Sequence, residues 1–174
     1  GDDSVDGGAD DDMLYGNYGA DVLFGGAGND SIKGGNGADT ITGGIGADTM
    51  IGGLGAVIFD YNLAGETSTT SLDVISLNWD QDTINISSIR SDAGDTINVV
   101  GGLTVNALAD VVAGYDNTNM DQVGDANILT ATAGTFSGNQ YVIISTDGNA
   151  TYDEGVDLFF QVIGGGTFDV TDII

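Results

Sequence analysis

The chain has 174 residues, 41% of them hydrophobic, and carries 27 acidic residues against only Lys33 and Arg90, a formal net charge of -25. That length suits one or two small domains with a packed core. The charge argues against nucleic acid and anionic membrane surfaces as partners, since both need a basic patch. Cations are the natural partners, and without them self-repulsion on this scale opposes compaction. With neither Cys nor His, disulfides, imidazole-held zinc and the Ser-His and Cys-His nucleophile systems are excluded. No apolar run approaches the roughly 18 residues of a membrane helix, so no membrane insertion is expected. No basic, apolar signal peptide opens the chain.

From the first residue the chain repeats a nine-residue phrase. Gly1-Asp2-Asp3-Ser4-Val5-Asp6 fits its last six places, so the chain reads as a piece of a longer protein. Complete units begin at Gly7, Gly16, Gly25, Gly34, Gly43 and Gly52. Place six holds Asp3, Asp12, Asp21, Asp30, Asp39 and Asp48, then changes to Val57. Place eight is always apolar: Val5, Leu14, Leu23, Ile32, Ile41, Met50 and Phe59. A fixed period with one apolar residue per unit signals stacking, because no unit has a core by itself. Three strand-like residues after six turn-formers, as in Asp30-Ser31-Ile32-Lys33, predict a short strand after a tight bend. The invariant spacing of Asp and of the apolar place argues against a soluble Gly/Asp linker.

The chemistry of one unit is that of a hard-cation site. Glycine visits positive φ without penalty, so Gly-Gly-x-Gly permits bends that turn backbone carbonyls inward. A carboxylate two residues later faces the same small space. Ca²⁺ accepts carbonyls and carboxylates together, taking about 6–8 oxygens, whereas Mg²⁺ demands stricter octahedral geometry and keeps its waters.

After residue 60 the period disappears. Strand-like runs follow at 73–79, 83–87, 96–100, 141–145 and 157–163, rich in Val, Ile, Phe and Tyr. Residues 106–113 have the pattern of a short helix capped by Asn106. The reading divides the chain into residues 1–60 and a β-rich part at 61–174, packed directly on one another, with Val57, Ile58 and Phe59 as an apolar cap between them. In residues 147–157, Asp147, Asn149 and Asp153 have the spacing of half an EF-hand loop, but Tyr152 and Leu158 stand where that loop needs Gly and Glu. A polar turn and a calcium loop of another kind remain alternatives there. Asp82 is a weaker ligand candidate, since an isolated Asp usually caps or solvates. Trp79 and Tyr141 could stack on a sugar, although an aromatic beside strands more often belongs to a core.

The pattern G-G-x-G-x-D-x-(apolar)-x over residues 1–60 resembles the RTX (repeats-in-toxin) family, whose nonapeptide binds calcium. The resemblance implies an all-β chain: a right-handed parallel β-roll, two units per turn, followed by a mostly antiparallel β C-terminal domain. It implies calcium between stacked turns, joining Asp residues two units apart: Asp3/Asp21, Asp12/Asp30, Asp21/Asp39 and Asp30/Asp48. That gives about four ions in the roll, with carbonyls near Gly7, Gly16, Gly25, Gly34 and Gly43 completing them; the separate spacing at Asp147, Asn149 and Asp153 would add one more ion only where that loop is a calcium loop rather than a polar turn. Asp10 and Asn17 depart mildly from the glycine pattern, since both tolerate left-handed backbone. Val57 departs sharply. It cannot ligate, so the site above Asp39 should be incomplete.

Residues 78–89 and 141–172, with the acidic and apolar ending Asp169–Ile174, resemble the C-terminal region of secreted serralysin-type proteases. This implies a bacterial protein, secreted or at the cell surface, exported by a type I secretion apparatus. No catalytic constellation is present, so the expected function is a calcium-dependent folding and export module, not an enzyme. The alternatives are a surface-layer protein or adhesin that self-associates through calcium, and a module binding cell-surface polysaccharide.

Overall fold

Nine-residue spacing produces two parallel sheets from one winding chain. In the computed structural model, residues 1–61, 72–77, 81–85, 97–104, 126–133, 140–144 and 158–163 are described. The strands are β1 (Ser4–Ala9), β2 (Met13–Tyr18), β3 (Val22–Ala27), β4 (Ser31–Asn36), β5 (Thr40–Ile45), β6 (Thr49–Leu54), β7 (Ile58–Asp60), β8 (Asp73–Ser76), β9 (Thr83–Asn85), β10 (Ile97–Thr104), β11 (Ala126–Ala133), β12 (Gln140–Ile144) and β13 (Leu158–Ile163). No helix occurs among the described residues. The stretch 106–113 lies outside them.

Each of the strands β1–β7 pairs with the strand two ahead. Leu23 of β3 faces Ile41 of β5, and Ile32 of β4 faces Met50 of β6, all in parallel register. Two nonapeptides therefore make one turn, and β1–β6 make about three turns of a β-solenoid. Odd strands form one sheet, in the order β1-β3-β5-β7-β9. Even strands form the other, β2-β4-β6-β8, which continues through β13, β12 and β11 to β10. Within this extension β11/β12 and β12/β13 are antiparallel, whereas β10/β11 and β13/β8 are parallel.

The strands are longer than the sequence predicts. Each runs through places seven to nine and on through the next Gly-Gly-x, six residues in all. The bend is confined to places four to six. Glycine breaks sequence patterns for strands, but its amide and carbonyl pair across a parallel ladder like any other.

Place eight builds the core. Leu23, Ile32, Ile41, Met50 and Phe59 are buried between the sheets, with Leu14 at one end and Val5 only partly covered. Each such side chain contributes about 1.5–3 kcal/mol when fully buried. One per nonapeptide is too little for a lone turn, so stability comes from the stack. Val57 and Phe59 point inward, but Ile58 between them is exposed. The three do not form an apolar end cap. Strand alternation sends the middle residue outward, and the odd sheet continues past β7 to β9.

Beyond the break the stacking continues with altered spacing. Thr49 and Met50 pair with Val74 and Ile75, and Ile58 and Phe59 with Thr83 and Ile84. Ile75 and Ile84 are buried at the places that the repeat's apolar residues occupy below them.

Candidate metal centre

The bends place the ligands. In each Gly-Gly-x-Gly the second and fourth places take positive φ, as at Gly26 (111°) and Gly28 (140°). Where the sequence departs from glycine the backbone does not: Asp10 has φ 79° and Asn17 φ 73°. Asp and Asn are the residues best able to hold that conformation. Place five is also used. Asn29 Oδ1 accepts the N–H of Ala47, and Asp11 Oδ1 that of Asn29, one turn apart.

The place-six carboxylates divide their two oxygens. Oδ1 accepts the backbone N–H of the Asp one turn earlier: Asp21 from Asp3 at 2.8 Å, Asp30 from Asp12 at 2.8 Å, Asp39 from Asp21 at 3.0 Å and Asp48 from Asp30 at 2.8 Å. Oδ2 turns inward. In Asp12, Asp21, Asp30, Asp39 and Asp48 this oxygen is buried without a hydrogen-bond partner. Asp21, Asp30, Asp39 and Asp48 are at most 2% exposed, while Asp12 is half-buried and Asp3 exposed.

The first glycine of each unit forms the floor below that oxygen. A Cβ on Gly7 would stand 2.6 Å from the Gly25 carbonyl oxygen and 2.8 Å from Asp12 Oδ2. On Gly16 it would meet Asp21 Oδ2 and the Gly34 oxygen, both at 2.5 Å, and on Gly34 Asp39 Oδ2 at 2.5 Å and the Gly52 oxygen at 2.7 Å. Gly25 meets Asp30 Oδ2 and the Gly43 oxygen in the same way, and Gly43 meets Asp48 Oδ2. Any side chain would fill the space into which carboxylate and carbonyl oxygens converge.

The electrostatics call for a counter-ion. A buried carboxylate oxygen without a donor loses its hydration and gains nothing in return. Burial accordingly pushes the Asp48 carboxyl up to about 6; the Asp30 N–H bond pulls it down and the Asp30 carboxylate raises it further. Among the described residues no three acidic side chains cluster as a ready-made metal cage. A cation here would draw on carboxylates in stacked turns together with glycine carbonyls. That all-oxygen mixture suits Ca²⁺.

The structure thus brings together every Asp pair expected two units apart. It also adds two residues. Asp73 Oδ1 accepts the Asp48 N–H at 2.8 Å and Asp82 Oδ1 the Val57 N–H at 3.0 Å, each 25 residues away. Asp82 was a weak candidate in the sequence and Asp73 was not singled out. The signal that finds both is the tripeptide Asp-x-Ile, which survives at 73–75 and 82–84 after the glycines are gone. Above Asp39, the place of the carboxylate is taken by Val57, whose Cγ2 lies 3.2 Å from a Cβ built on Gly52. Asp147, Asn149, Asp153 and Trp79 lie outside the described residues. Tyr141 is completely buried in β12 and offers no face to a sugar.

A parallel roll whose bends line up unpartnered carboxylates in rows defines a cation-binding β-solenoid. Residues 1–58 are RTX repeats: the family model "RTX calcium-binding nonapeptide repeat (4 copies)" matches 1–32 and again 24–58. These repeats bind Ca²⁺. No curated protein matches the chain. Among solved structures, the AlgE6R2 subunit of the Azotobacter vinelandii mannuronan C5-epimerase aligns over 96% of this chain and 89% of its own, at 23% identity and a TM-score of 0.60. That likeness speaks for the fold alone. The AlgE6R3 subunit of the same epimerase aligns over 99% of this chain and 77% of its own at 22% identity, with a TM-score of 0.37, too low to speak for the fold.

Proposed function

We propose that the chain is a calcium-dependent folding module of an extracellular bacterial protein, with Asp3, Asp12, Asp21, Asp30, Asp39 and Asp48 and the carbonyls near Gly7, Gly16, Gly25, Gly34 and Gly43 as ligands. The observation that carries this reading is the set of five buried carboxylate oxygens without hydrogen-bond partners. In a low-calcium cytosol the acidic chain stays open and fit for a secretion channel. Outside, sites of the extracellular kind, with Kd about 10⁻⁴–10⁻³ M, fill and close the roll. The chain's own role is binding rather than catalysis, with residues 1–60 as the calcium-binding roll and 61–174 as the C-terminal domain; the pairing of β8 and β9 with β6 and β7 supports close packing of the second part on the first.

Isothermal titration of the ion-free chain with calcium tests the binding: saturable uptake of several ions in that concentration range is expected, and no uptake at 10 mM would end the reading. Export is tested separately. A passenger fused ahead of the chain should reach the medium only from cells with a type I transporter, and lose that ability when Asp169–Ile174 is deleted. Retention of the intact fusion would refute the export role.

One observation favours a second role, binding of polysaccharide. A groove of about 500 Å³ crosses the outer face of β2, β4 and β6, bordered by Asn17, Tyr18, Lys33, Asn36, Ile51 and Leu54. It holds one of the chain's two basic side chains, with Tyr18 exposed beside it. Since the fold resembles a subunit of a mannuronan epimerase, mannuronan is the first probe. Retardation of the chain in mannuronan-containing gels that Lys33→Ala abolishes supports it; equal migration with and without polymer refutes it.

A further inference from the structure

The carboxylates form two rows, one before the odd strands and one before the even strands. The odd row runs Asp3, Asp21, Asp39 and then Val57, with Asp82 beyond. The even row runs Asp12, Asp30, Asp48 and then Asp73. In the pairs Asp12/Asp30, Asp21/Asp39 and Asp30/Asp48 the lower Asp gives its N–H to Oδ1 of the upper one and keeps its own Oδ2 buried and unpartnered below it. Asp48 and Asp73 repeat this arrangement. Asp48 N–H donates to Asp73 Oδ1 at 2.8 Å, and Asp48 Oδ2 is one of the five orphaned oxygens. Asp73 is completely buried. Only the sequence separation differs, 25 residues in place of 18.

We infer that Asp73, outside the nonapeptides, is a calcium ligand that closes one further site with Asp48, and that this site ends the even row. The inference rests on calcium binding by the repeats and extends it to a residue that the repeat motif does not contain. If Asp73 were only an acceptor for the Asp48 N–H, the buried Asp48 Oδ2 beneath it would keep neither a donor nor an ion. A carboxylate oxygen left so is unfavourable, and a divalent ion relieves it. The outer oxygen of Asp73 already has a donor: the buried Tyr61 hydroxyl at 2.8 Å. Tyr61 stands where the next unit would have its first glycine, so a hydroxyl replaces the following ion and the row stops there.

The odd row ends one step earlier, by a different device. A Cβ on Gly52 would meet Asp82 Oδ2 at 3.0 Å and Val57 Cγ2 at 3.2 Å, so one carboxylate oxygen reaches this space but Val57 brings no second carboxylate to it, and among the described residues no orphaned oxygen lies there. Asp82 then serves as acceptor for the Val57 N–H. The two rows are therefore unequal. The extra site draws its ligands from the last regular turn and from β8, the strand that pairs with both β6 and β13. Its occupancy ties calcium loading to the attachment of the extended even sheet.

The test is ion stoichiometry on the full chain, by native mass spectrometry or equilibrium dialysis at saturating calcium. Asp73→Asn, which keeps an oxygen for the Asp48 N–H, should bind one ion fewer than wild type, and Asp82→Asn should bind the same number. An unchanged count in Asp73→Asn, or a loss in Asp82→Asn alone, overturns the assignment while leaving calcium binding by the repeats intact. Loss of all binding in the wild type would instead overturn the repeat reading. A second measurement does not depend on a variant folding. Gd³⁺ added to the wild-type chain should broaden the amide signals of Asp73 and Val74 and the Tyr61 ring signals beyond detection, along with those of Asp30 and Asp48. Sharp Val74 and Tyr61 signals beside broadened Asp30 signals would refute the site.

Discussion

Withdrawing calcium should unfold the roll. The structure sets the scale. Five buried carboxylate oxygens have no donor, and each such group costs about 1–3 kcal/mol, more when charged. For the five together that is about 5–15 kcal/mol, as large as the roughly 5–15 kcal/mol net stability of an ordinary domain. The ion-free roll therefore has no margin left. An ion bound only by the native state returns about 2.7 kcal/mol per site when its concentration is 100 times Kd, so several sites together restore the fold. The assay is far-UV circular dichroism of the chain in EGTA, then in rising calcium, with magnesium and ionic-strength-matched NaCl as controls. A weak β signal should strengthen cooperatively with calcium and not with the controls. The same β spectrum in EGTA and in calcium would refute the reasoning. Equal recovery in NaCl would also refute it, since screening of the net charge of -25 would then suffice without specific sites.

Two glycine substitutions separate strain from obstruction. Gly8→Ala meets no atom within 4 Å but sits at φ +100°, and should cost about 1–2 kcal/mol of stability in calcium. Gly34→Ala drives a Cβ toward Asp39 Oδ2 and the Gly52 carbonyl, and should abolish one ion as well as lower Tm; calcium titration and thermal melts of both variants check this. Val57→Asp should restore a carboxylate above Asp39 and beneath Asp82, raising the ion count by at least one and making the fold more calcium-dependent in parallel melts with and without EGTA. The Asp48 carboxyl, raised from 3.8 to about 6, binds its proton more tightly in the ion-free fold than in the unfolded chain. That contribution is complete below about pH 4 and is lost as pH rises through about 6. Calcium needs the ionised form, so its affinity at this site should fall about tenfold at pH 5 relative to pH 7, with proton uptake or release measurable by titration in buffers of differing ionisation enthalpy.

The roll was legible because its cause is local. A glycine at places two and four, a carboxylate at six and an apolar residue at eight are each required by one bend, one ion and one layer of core. Asp10 and Asn17 could be accepted as substitutes because φ, not the absence of a side chain, is what those places demand. Strand length was less legible. Gly-Gly-x reads as a turn in isolation, yet the neighbouring turn supplies the backbone partners that make it strand. The continuation through Asp73 and Asp82 was harder still, for a physical reason. Once a turn is no longer required to admit an ion from both sides, its glycines are free to change, and the nine-residue period disappears with them. What cannot change is the carboxylate that accepts the N–H of the turn below and the apolar residue two places on. Asp73-Val74-Ile75 and Asp82-Thr83-Ile84 keep those two features and nothing else of the repeat. The ladder that holds the turns together thus extends further than the glycines that mark it, and Val57 interrupts one row of carboxylates without interrupting the sheet.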